Sequence, residues 1–193
     1  MNKRDYAYEA QVVKRLASMS RGEVADLRRS LSHPPGEFVP AMRVLEHFFN
    51  QSEWRRIPTY VVGGLFADIW RPQTEDTTWS DADTRLSLPR TMRAYIGRRG
   101  TDARGPLERR FLTLIDTSLD GVAVHMRPLL RMVHAEGLTL SWTRLLYDVT
   151  RWSSPDSRIQ LSWAREFYRT YDDSEETDEL TNESEPNTSI ITK

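Results

Sequence analysis

The 193-residue chain has no cysteine, which excludes disulfides, thiol nucleophiles and thiolate metal sites. Lysine is almost missing: only Lys3, Lys14 and the last residue, Lys193, occur. The apolar run that begins Tyr60–Leu65 stops before Asp68, far short of the ~20 residues that a bilayer-spanning helix needs. The opening residues, MNKRDYAYEA, have no apolar signal region. These absences point to a soluble cytoplasmic protein. Catalytic patterns are also scarce. The four histidines, His33, His47, His125 and His134, show no H-x-x-x-H spacing and no carboxylate pattern for a metal, so structural or surface roles are expected. There is no G-x-S-x-G elbow. Asp81 and Asp83 have no third obvious ligand nearby and are expected to be solvated. The chain reads as a non-enzyme without cofactor or metal.

What is present is helical periodicity. Between Leu107 and Trp152 three apolar stripes follow one another: Leu107, Phe111, Leu114 and Ile115; Val122, Met126, Leu129, Leu130 and Val133; Trp142, Leu145, Leu146, Val149 and Trp152. This spacing places each set on one helix face, which must be buried. The opposite faces carry Arg109, Arg110, Arg127, Arg131, Arg144 and Arg151. Pro128 falls inside the second pattern and should kink or split that helix. Ser141 is a candidate N-cap for the third.

Upstream, a helix is expected over about 5–19, with Val12, Val13, Leu16 and Met19 inside. A second, within GEVADLRRSL, buries Val24, Leu27 and Leu31 and leaves Arg28 and Arg29 off the stripe. A third spans about 37–49 and buries Met42, Leu45, Phe48 and Phe49. The segment 54–70 is the most apolar and is expected to be the central helix of the N-terminal half. Its Gly63-Gly64 pair is not a phosphate loop, because no strand precedes it and no Lys-Ser/Thr follows. Close helix approach explains the pair better. A helix at about 89–97 leads into a basic glycine loop at 97–105, with Arg98 and Arg99 in it. The last helix is expected to start at Ser154-Pro155 and to bury Ile159, Trp163, Phe167 and Tyr171. No strand pattern or repeat is visible. The expected fold is all-α: two small helical bundles of about eight or nine helices, at 1–71 and 88–171. A polar linker or mobile loop, 72–87, separates them, and a disordered acidic tail, 172–193, follows.

The tail hides the charge of the rest. Of 27 Lys and Arg and 28 Asp and Glu, residues 172–193 hold one base and eight acids, so residues 1–171 carry a net of six positive charges. From Arg85 to Arg131 there are ten arginines, Arg93 among them, against four acids. Such a surplus suits a surface that tracks a nucleic-acid backbone. Arginine is the better bidentate phosphate ligand and stacks on bases. Genomic base composition produces the same bias, and a solvated, salt-bridged helix face the same pattern.

Several segments together resemble one family. GEVADLRRSL, through Gly22, Ala25, Leu27, Arg28 and Arg29, is similar to the G-x-x-A-x-L-R-R signature of CasB, the small subunit of the type I-E CRISPR surveillance complex, Cascade. Glu108, Arg109, Arg110 and Phe111 resemble that family's E-R-R-F/I segment. Leu140, Ser141 and Trp142, with the closing Arg151-Trp152, resemble its later helices. The likeness runs in order over about residues 8–171. Pro128 and the acidic tail depart from it. The resemblance implies an all-α, non-catalytic subunit in antiviral defence. Its partners would be the backbone and large Cascade subunits, a second copy of itself, crRNA and target DNA. It would help hold the strands of the R-loop open. The expected nucleic-acid contacts are Arg28, Arg29, Arg93, Arg98, Arg99, Arg109, Arg110, Arg127, Arg131, Arg144 and Arg151. Two other readings stay open: a helical scaffold with no nucleic-acid role, and a carboxylate-based bundle enzyme.

Overall fold

The computed structural model describes residues 5–49, 52–70, 80–155 and 158–169. The acidic tail, Tyr171 and the first part of the expected linker lie outside the described residues. Among the described residues the chain forms nine α-helices and no strands: α1 (Ala7–Ala17), α2 (Arg21–Ser30), α3 (Val39–Leu45), α4 (Arg56–Ile69), α5 (Leu88–Arg99), α6 (Arg104–Ile115), α7 (Leu119–Ala135), α8 (Trp142–Thr150) and α9 (Ile159–Tyr168). The all-α expectation holds.

α4 is the centre because it is apolar on every side, and a helix without a polar face must be surrounded. Every residue from Pro58 to Asp68 is buried. α2, α7 and α8 pack around it, and α1 touches it as well. Gly63 and Gly64 make the α2 approach possible. A Cβ at Gly64 would lie 2.6 Å from Leu31 Cδ2 and 3.3 Å from the Leu27 carbonyl oxygen. The close-approach reading of the glycine pair is therefore correct. α6 and α5 pack on α7, and α9 packs on α5 and α6. The stripes of α6, α7 and α8 are buried as expected, with Ile115 and Trp142 partly so. Buried residues from all parts of the chain join one continuous cluster.

Local signals explain several boundaries. Ser20 and Glu23 form a reciprocal capping box at the start of α2: the Glu23 amide donates to Ser20 Oγ at 3.3 Å, and the Ser20 amide donates to Glu23 Oε2 at 2.8 Å. Ser141 caps α8 as expected, accepting from the Arg144 amide at 3.1 Å.

The structure corrects several expectations. Pro128 does not split α7, which runs unbroken through it. Its ring is on the exposed face, as is Val124, whose carbonyl loses its helical partner and is left on the side open to water. The glycine loop at 97–105 is mostly helix: Gly97, Arg98 and Arg99 end α5, and Gly100 (φ 85°) plus one 3-10 turn lead directly into α6. α3 is shorter than expected and finishes in a 3-10 turn at Glu46–Phe48. α9 starts at Ile159, not Ser154, because Arg158 adopts the left-handed conformation (φ 45°) and cannot continue a helix backwards. Asp81 is not left to solvent. It accepts from the Trp142 amide at 2.9 Å, the Thr143 amide at 2.8 Å and the Ser141 hydroxyl at 3.1 Å, so it completes the cap of α8 from 60 residues away. Asp83 accepts from the Arg85 amide at 2.7 Å.

Candidate nucleic-acid interface

The guanidinium groups meet at helix ends. α4 runs its C-terminus outward between α2 and α7, and its last-turn carbonyls carry the negative end of the helix dipole. Arg28 of α2 reaches this end and donates through Nε and Nη2 to the Ala67 carbonyl oxygen, at 3.0 and 2.8 Å. The next residue, Asp68, is an acid with a side chain only 2 % exposed. Arg127 and Arg131 stand one turn apart on α7 and so share a face. Arg127 donates to Asp68 Oδ2 at 3.0 Å and Oδ1 at 2.7 Å, and Arg131 to the same oxygens at 2.7 and 2.8 Å. Burial pushes the Asp68 carboxyl upward. The paired hydrogen bonds and charges of the two arginines outweigh that and hold it well below the usual carboxylate range. It is thus an anion at any physiological pH. The arginines remain reachable, with side chains 37 % and 56 % exposed.

A second group lies toward the C-terminal end of α7. Arg98 donates to the Glu136 carbonyl oxygen at 2.7 Å, and Arg99 pairs with the Glu136 carboxylate at 3.3 Å. Arg110 of α6 contacts the Met132 sulfur. Arg109, exposed on α6, has no ion-pair or hydrogen-bond partner for its guanidinium among the described residues.

The remaining candidates are placed differently. Arg29 is exposed and pairs with Asp26 at 2.5 Å. Asp26 also holds Arg43, tying α2 to the end of α3. Arg93 is half-buried on α5. Arg151 stacks on the Tyr147 ring at 3.5 Å and faces Glu9 at 3.5 Å. Arg144 is not on an outer face. Its side chain is 8 % exposed and is held by Asp148 at 2.9 Å and Glu166 at 3.3 Å. Burial works against its charge, but the two carboxylates outweigh it and raise its pKa. The helical wheel misplaces Arg144 because α8 is packed on two sides, by α1 and α4, so little of its circumference faces water.

Sequence reasoning missed Asp68, although a signal was present. It is the only acid in an otherwise apolar helix, and a buried carboxylate requires cationic partners. Among the described residues no group of three or more His, Cys, Asp or Glu is placed to hold a metal ion. No described helix is long and apolar enough to cross a membrane.

Fold and site together define an all-α protein that displays arginines around the ends of its packed helices. The comparisons with known proteins then specify it. A model of the family described as CRISPR-associated protein Cse2 matches residues 23–168, and the chain belongs to that family. A Cse2 protein of Thermus thermophilus is 31 % identical over 147 residues, which are 75 % of this chain and 77 % of that protein. The crystal structure of CasB from Thermus thermophilus matches with a TM-score of 0.65 at 27 % identity, covering 86 % of this chain and 99 % of that one. A chain of a CRISPR RNA-guided surveillance complex shares the fold, with a TM-score of 0.69 at 21 % identity over 93 % of this chain and 99 % of its own.

Proposed function

We propose that this protein is the small subunit of a type I-E CRISPR surveillance complex. In this reading it binds nucleic acid along the backbone without reading sequence, and so helps hold the crRNA-paired target strand and the displaced strand apart. Family membership supports the assembly. The observation that carries the nucleic-acid role is the convergence of Arg28, Arg127 and Arg131 on the end of α4. With Asp68 included, these four side chains keep two net positive charges on a partly exposed surface. Each guanidinium on Asp68 uses two of its five N–H donors, and the other donors suit phosphate oxygens. Arg98 and Arg99 on α5 and Arg109 and Arg110 on α6 add further exposed cations. Guide pairing supplies sequence recognition in such complexes, so the protein needs only to neutralise charge.

The isolated protein is expected to bind unrelated single-stranded oligonucleotides of equal length alike, with a Kd on the order of micromolar at moderate salt. Strong discrimination among them would overturn the proposal. So would a surveillance complex that retains full target affinity without this subunit. A second reading, a helical scaffold without nucleic-acid contact, draws on Arg28, Arg144 and Arg151, whose donors meet partners inside the protein. It is favoured if binding is absent at low salt.

A further inference from the structure

Asp68 is an unexpected residue to find in a surface that binds polyanions. Its charge repels phosphate, and simple electrostatics says that removing it should strengthen binding. Yet its carboxylate grips both Arg127 and Arg131 through the same two donors, Nε and Nη2, at 2.7–3.0 Å. That side-on geometry fixes each guanidinium plane. It leaves Nη1 and the second Nη2 hydrogen of each arginine directed away from the carboxylate. The carboxylate also lies between two like charges one helical turn apart and relieves their repulsion. Asp68 itself cannot swing away: it sits in the last turn of α4, with its side chain 2 % exposed.

We infer that Asp68 is a positioning residue for phosphate binding, holding Arg127 and Arg131 as a preformed pair whose outer N–H edges receive the nucleic-acid backbone. The inference rests on the nucleic-acid reading above. Its physical basis is entropy. An arginine has many rotamers, and freezing two on binding weakens affinity unless they are frozen beforehand. Asp68 has done so in the free protein. The charge that it subtracts is the smaller effect, because the charges are partly exposed and screened by solvent and salt.

The test compares four variants in salt titrations of single-stranded DNA binding, with circular dichroism to confirm helix content. The variant Arg127→Gln with Arg131→Gln decides the underlying reading: unchanged affinity means that these arginines do not touch the ligand. Given a loss there, Asp68→Asn decides the inference. Positioning expects affinity to fall about tenfold, with the slope against salt unchanged because the same phosphate contacts form once bound. Equal or tighter binding by Asp68→Asn, with the Gln pair still weakened, overturns positioning and leaves the interface standing. A third variant, Arg127→Lys with Arg131→Lys, keeps both charges and a partner for Asp68 but lacks the planar fork. It is expected to lose affinity similarly, and it decides the matter if Asp68→Asn does not fold. Wild-type binding by the Lys pair would show that charge alone suffices. Finally, adding Asp68→Asn to the Gln pair is expected to cause no further loss. A further loss of the same size would place the Asp68 effect elsewhere.

Discussion

Replacing Gly64 by alanine tests the packing at the centre of the fold. Two opposing effects are involved. Alanine in place of glycine inside a helix gains about 1 kcal/mol of helix propensity. Against this, the new methyl would lie 2.6 Å from Leu31 Cδ2, 2.8 Å from Leu31 Cγ and 3.3 Å from the Leu27 carbonyl oxygen. Leu31 is only partly buried and can rotate, but the Leu27 oxygen is backbone, so α2 itself must shift. Overpacking of this kind costs about 1–3 kcal/mol, and the α2–α4 contact is a major one in the core. The net expectation for Gly64→Ala is a destabilisation of about 1 kcal/mol, or a Tm lower by about 2–4 °C for a chain of this size. Gly97→Ala is the control: it is helical, exposed, and its Cβ would meet nothing within 4 Å. It should stabilise by about 0.4–1 kcal/mol. Urea unfolding followed by far-ultraviolet circular dichroism measures both. If Gly64→Ala stabilises as much as Gly97→Ala, the close approach of α2 to α4 is not as described.

Other outcomes follow from the buried charges. Arg144→Ala removes a buried guanidinium that pairs with Asp148, itself 1 % exposed; thermal or chemical unfolding should show a loss of about 3 kcal/mol or more. Arg109→Glu, in contrast, changes an exposed guanidinium and should alter stability by no more than about 0.5 kcal/mol. Asp81→Ala removes two backbone amide partners at the start of α8, and urea unfolding should register a cost of about 1–2 kcal/mol. Asp68 has a folded-state pKa below its unfolded value of about 3.9. The stability it contributes is therefore complete above that value and is lost as pH falls beneath it. Unfolding midpoints measured downward from pH 5 should drop less steeply for Asp68→Asn than for the wild type; parallel profiles would contradict the assignment.

The helices were readable in the sequence because burial is periodic. Val12, Val13 and Leu16 in α1, and Val122, Met126, Leu129 and Val133 in α7, were placed correctly by spacing alone. Gly63-Gly64 was readable because two glycines amid apolar residues have few uses besides close approach. The errors arose where distant partners or backbone conformation decide. Nothing near Asp81 in sequence says that it caps a helix starting at Trp142. Ser154-Pro155 has the composition of a helix start, but the left-handed Arg158 delays it. Arg144 occupies a polar wheel position, yet Asp148 and Glu166 enclose it. For the interface, composition located the arginine surplus. Which arginines gather was set by α4, whose end brings Arg28 from one side and Arg127 and Arg131 from the other. The L-R-R run at Leu27, Arg28 and Arg29 has a structural explanation in the same place, since Arg28 ties α2 to the end of α4.

The central claim is that the pair on Asp68 contacts nucleic-acid phosphate, and the salt dependence of binding tests it most directly. Each phosphate contact made to a single strand contributes roughly 0.7 to the slope of log K against log salt. For Arg127→Gln with Arg131→Gln, folded by circular dichroism, the account expects weaker binding and a slope flatter by about 1.4. An affinity and slope equal to those of the wild type at every salt concentration would contradict it.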